Sequence, residues 1–98
     1  MAIQKFIDTV VSFLANTFPY ITIRYAFCEL DNSHNIEVSD KTLWQDDIFN
    51  QFCIDTYEVY KRNFFDEDFY ITSPSSIDVI EKWDVLYSPP VFQFEKTI

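Results

Sequence analysis

Apolar residues recur at spacings of three and four near the start of the chain: Ile3, Phe6, Ile7, Val10, Val11, Leu14 and Phe18. That period puts them on one helical face. Gln4, Asp8, Ser12 and Asn16 step by four along the opposite face. The spacing predicts an amphipathic helix over residues 2–18, closed by Pro19, whose ring cannot enter a helix interior. Asp8 also interrupts the apolar run, so this stretch reads as part of the fold and not as a signal peptide.

Over residues 20–30 the period changes to two. Ile21, Ile23, Tyr25 and Phe27 fall on one side, Thr22, Arg24 and Ala26 on the other, which predicts a strand with one face buried. Asp31, Asn32, Ser33, His34 and Asn35 form a polar turn in which Asn takes the left-handed conformation. Ile36 to Ser39 alternates again, completing a β-hairpin.

A long helix is expected over residues 43–64. Thr42 and Gln45 fit a capping box, Asp46 and Asp47 fall in the first turn, and Lys61 and Arg62 fall in the last, so both ends complement the helix dipole. Trp44, Ile48, Phe49, Phe52, Cys53, Tyr60 and Phe64 make its apolar stripe, with Asn50, Gln51, Asp55 and Glu58 outside. Asp66, Glu67 and Asp68 break the helix, and residues 69–72 read as a strand. Ser73 and Pro74 suit a helix start leading to a short helix ending near Trp83. Val85, Leu86 and Tyr87 resemble a last strand, and residues 88–98 an extended tail. The order α-β-β-α-β-α-β predicts one α+β domain over residues 1–98, with helices packed on a small, mostly antiparallel sheet.

Composition narrows what such a domain does. Sixteen Asp and Glu against seven Lys and Arg give a net charge of -9. This argues against direct contact with nucleic acid or anionic membranes, both of which call for cationic side chains. It favours a basic protein partner, whose encounter long-range attraction speeds, alongside the plainer role of keeping the chain soluble. No apolar run approaches a membrane span, and a cytoplasmic location is expected.

Glycine is absent altogether. The phosphate-cradling loop, the dinucleotide-binding turn, the EF-hand loop and the nucleophile elbow all need it, so none is encoded. Cys28, Cys53 and His34 are the whole set of soft ligands, too few for a four-ligand zinc site without carboxylates, and no cofactor is expected. The two cysteines are expected as free thiols serving as packing, and His34 as a solvated turn residue. No pair of carboxylates is placed for acid–base work, because Asp55 and Glu58 lie on the outer helix face. The chain therefore reads as a non-enzyme.

The positive feature is a run in which four rings surround three acids: Phe64, Phe65, Asp66, Glu67, Asp68, Phe69 and Tyr70. Carboxylates on a rigid scaffold imitate a phosphate backbone, and rings beside them suit apolar or base-stacking pockets of a nucleic-acid-binding protein. The expected function is a non-catalytic acidic binding module that blocks a basic surface, as an inhibitor or nucleic-acid mimic would. Anti-defence and immunity-type inhibitors of nucleic-acid enzymes share this size and charge. Asp66, Glu67, Asp68, Phe65 and Tyr70 are the expected contacts, with Asp55 and Glu58 as a second acidic patch. The alternative is a self-associating assembly protein, a homodimer for instance, that uses its aromatic surface or adds a strand from its tail.

Overall fold

The computed structural model describes residues 2–64, 66–74 and 82–90. Helix α1 (Ile3–Thr17) buries Phe6, Ile7, Val10 and Leu14, the stripe its spacing requires. Phe18 closes it with a backbone N–H to the Leu14 carbonyl, and its ring is buried ahead of Pro19. Strands β1 (Ile23–Cys28) and β2 (Ser33–Val38) then form an antiparallel hairpin. Asn32 is the one described residue at positive φ, 56°, and takes the left-handed place that glycine would fill elsewhere.

The hairpin turn is shorter than the polar composition suggests. Ser33, His34 and Asn35 belong to β2 and are buried, because this strand lies inside the sheet with a neighbour on each side. The order is β3-β2-β1-β4, where β3 is Asp68–Thr72 and β4 is Asp84–Tyr87. The β1–β2 and β1–β4 pairs are antiparallel, and β2–β3 is parallel. The expected α+β architecture of helices on a mostly antiparallel sheet is what the chain forms.

The long helix starts later than the capping box implies. Asp40 accepts hydrogen bonds from the Thr42 backbone N–H (2.9 Å) and hydroxyl (2.7 Å), which starts a separate 3-10 helix over Lys41–Gln45. Asp46 is extended, at φ -97° and ψ 125°, and its carboxylate accepts from the Phe49 N–H at 3.0 Å, so it is the cap of α2 (Asp47–Asn63). Two aspartates compete for the start and each wins one, since a short carboxylate at an extended position reaches exposed N–H groups well. With the start moved, Ile48 leaves the apolar stripe and is 61% exposed. Lys61 and Arg62 do occupy the last turn.

The core lies between the two helices and one sheet face. Phe6 meets Tyr60, Phe64 and Phe69 at centroid distances of 5.3–5.6 Å, tying α1, α2 and β3 together. Ile23, Ile36, Val38, Phe69 and Ile71 supply the sheet side. On the opposite sheet face Ala26, Cys28, Ser33, Asn35 and Glu37 are buried as well, contrary to the one-sided strand that alternation implies. There Arg24 grips Glu37 with two hydrogen bonds of 2.7 and 2.9 Å, and the Trp83 ring lies 5.0 Å from the guanidinium. The short helix expected up to Trp83 and the tail expected over 88–98 lie outside the described residues, except for their edges at Ser73–Pro74, Lys82–Trp83 and Ser88–Pro90, which carry no regular structure. Among the described residues no helix is long and apolar enough to cross a membrane.

Candidate functional site

The acidic turn after α2 is held from three directions. Asn32 clamps both of its ends: its side-chain N–H donates to the Asp66 carbonyl at 2.8 Å, and its own carbonyl accepts from the Asp68 N–H at 3.0 Å. From α2, the Tyr60 hydroxyl donates to the Glu67 carbonyl at 2.7 Å. From β2, His34 Nε2 lies 2.7 Å from Glu67 Oε1, while His34 Nδ1 lies 2.7 Å from the Tyr25 hydroxyl. A carboxylate only accepts, so a neutral ring carries its proton on Nε2 and takes the tyrosine proton at Nδ1, satisfying every group in the chain. Buried polar groups joined in this way fix a single arrangement.

Beside this turn lies a hollow of about 590 Å³ between α2 and β3. Tyr57, Tyr60, Lys61 and Phe64 form its helix side, and Glu67, Asp68, Phe69 and Tyr70 its strand side. Tyr60 stacks on Phe64 at 5.0 Å and on Phe69 at 5.1 Å, giving a continuous aromatic floor. The Tyr57 hydroxyl accepts from the Ile71 N–H at 3.0 Å, which seats the helix against the strand edge. Burial, followed by the charges of Glu67 and Asp68, raises the Tyr60 hydroxyl above the ordinary tyrosine value. At Tyr70 the Asp68 charge is the main cause of an upward shift. The site thus carries a negative field over an apolar floor.

The expected contact residues divide into two groups. Asp66 and Asp68 are exposed at the turn, Glu67 is half-buried and tied to His34, and Tyr70 is 42% exposed on β3. Phe65 lies outside the described residues. Asp55 and Glu58 stand apart from them. Asp55 lies roughly 160° around α2 from Tyr57, at ~100° per residue, and accepts from Gln51 Nε2 at 3.0 Å. It lines a separate hollow of about 240 Å³ between the two helices, with Phe6, Val10, Phe52 and Val59. Glu58 faces Arg62 at 3.6 Å on the solvent side.

His34 is not the solvated turn residue its neighbours suggest; it is 5% exposed and holds Glu67 to the hairpin. It does not face Cys28. His34 pairs with Phe27 across the hairpin and Cys28 with Ser33, so the thiol and the imidazole lie on opposite sheet faces. Both cysteines are free, Cys28 buried and Cys53 half-buried. Burial pushes the Cys53 thiol up to about 11, and burial with the charges of Glu67 and Asp84 raises Tyr25. Neither is activated as a nucleophile. Among the described residues no group of three His, Cys, Asp or Glu side chains is gathered for a metal ion.

Sequence reasoning missed the clamp and the imidazole. Their signals were faint: an Asn in a glycine-free turn, and a lone His followed by strand alternation. Neither reveals a partner more than thirty positions away. Comparison with protein-family models, curated proteins and solved structures finds no match.

Proposed function

We propose that this chain is a non-catalytic acidic binding module that covers a basic patch on a protein partner, in the manner of an inhibitor standing in for nucleic acid. The observation that carries this reading is the clamped turn. Asn32, Tyr60 and His34 fix the backbone and the middle carboxylate, and leave Asp66 and Asp68 exposed on either side. Preordered charges lose little entropy on binding and steer the approach of a basic surface. The net charge of -9 extends that attraction beyond the contact itself.

The test keeps Glu67 and its bond to His34 intact. The chain and its Asp66→Lys/Asp68→Lys variant are used as baits in lysate of the native host at low and at high salt. A basic nucleic-acid-binding protein held by the parent, released by salt and ignored by a variant of unchanged melting temperature is the expected result. Retention that survives both the reversal and the salt overturns the reading.

One observation favours the second reading, self-association. Among the described residues β4 pairs only with β1, and its Val85 and Leu86 are 59% and 41% exposed. An apolar edge strand is a template for a second copy. Sedimentation across concentrations separates the two: a stable dimer supports assembly, and a monomer at all concentrations supports the binding module.

A further inference from the structure

We propose that the joined outer face of α1 and α2 pairs with the same face of a second copy, the two α2 helices running antiparallel about a two-fold axis. The inference rests on the self-association reading and moves its contact from β4 to the helices. Shape is the first argument. The helices part over the apolar hollow of about 240 Å³, which is floored by the buried Phe6 and Val10 and walled by Phe52 and Val59. At its edge Phe13, 37% exposed, stacks on Phe52 at 4.1 Å. Ile48, 61% exposed, stands one turn before Phe52 and about 40° around α2 from it, so it projects on the same side. One face therefore carries both an apolar knob and an apolar hollow. A two-fold interface needs such self-complementarity, since each copy gives what the other receives.

Charge is the second argument. The two helices hold four acids, Asp8, Asp47, Asp55 and Glu58, against three bases, Lys5, Lys61 and Arg62, so they carry only -1 of a net charge of -9. A basic partner finds little net attraction here, whereas a second acidic copy meets little repulsion. The charges are also ordered along α2, with Asp47 in the first turn and Lys61 and Arg62 in the last. An antiparallel pair that sets Ile48 of one copy at the level of Val59 of the other also brings Arg62 beside Asp46 and Asp47 at the start of the opposite helix. One register thus serves both shape and charge. Asp55 is the exception. It lies near the midpoint between Ile48 and Val59, faces its own counterpart across the axis and opposes the pair.

The test is sedimentation of the full chain across concentrations, at low and at high salt. The parent is expected to form a dimer that salt tightens, because screening weakens the repulsion between two copies of charge -9. Ile48→Ala sits at an exposed helical position, where alanine keeps the fold and an unchanged melting temperature confirms it. It removes the knob at both symmetric contacts, about tenfold at each, and raises Kd about a hundredfold. Asp55→Asn tightens the pair, and the edge variant Val85→Lys leaves it unchanged. A dimer indifferent to Ile48→Ala, or one that salt dissolves, overturns the proposal. The reading and the proposal fail separately. A parent that stays monomeric at every concentration ends the self-association reading, and leaves the helix face to a partner of another kind. A dimer that survives Ile48→Ala and is lost in Val85→Lys keeps that reading through β4 and ends the proposal alone.

Discussion

The two faces of β2 are equally buried and chemically opposite. Toward the helices it presents His34, Ile36 and Val38, and away from them Ser33, Asn35 and Glu37. Ile36 and Val38 need only neighbours of suitable size, since apolar burial has no direction. The other face needs named partners. Glu37 takes both prongs of Arg24, Asn35 donates to Ser33, and Ser33 donates to Asp31. The difference teaches where this domain tolerates change. An apolar face loses stability in proportion to what is cut away, whereas a paired face loses most when one partner goes and the other is left buried.

The largest effect is expected on the apolar side. Ile36→Ala, at a fully buried position, costs about 3–4 kcal/mol in urea unfolding. Glu37→Ala follows at about 2–3 kcal/mol, because it removes both charge-assisted hydrogen bonds between the carboxylate and a guanidinium that is only one-third exposed. Replacing both Arg24 and Glu37 with leucine recovers part of that loss, because the pair is then exchanged whole for apolar contact. A double variant as unstable as Glu37→Ala breaks the comparison.

The smallest effect is a pH dependence that comes from α2. Burial raises the Cys53 thiol from 9.0 to about 11, and raises Tyr57 and Tyr60 from 10.0. A raised value in the fold favours the protonated form, so this stability is complete below the unfolded values and is lost as pH climbs through the folded ones. The urea midpoint is therefore expected to hold from pH 7 to 9 and to fall above it. Cys53→Ala, compared with the parent at each pH, removes the earliest part of the fall.

Much of the frame was legible because it depends on period alone. The stripe of α1 from Phe6 to Leu14 and the alternation of β1 give their elements directly. The start of α2 was misplaced by the competition between Asp40 and Asp46, in which backbone geometry and not residue type decides the cap. The polar face of β2 was hidden for a different reason. Ser33, His34 and Asn35 have the composition of a turn, and only the parallel arrival of β3 beside them turns that run into a central strand. The acids at 66 to 68 were legible as a run of charge. Their clamp was not, since it depends on one side chain from a turn 34 positions earlier.

The hydroxyls of Tyr57 and Tyr60 have a consequence for how copies of this molecule could join. They engage the Ile71 N–H on the outer edge of β3 and the Glu67 carbonyl just before it, where another strand would attach. Among the described residues the sheet then has one blunted margin and one unpaired margin, at β4. In the language of polymers such a unit is monofunctional. Two copies joined through β4 would use up the one valence that the described residues leave, so edge pairing through them would end at a pair and not grow into a fibre.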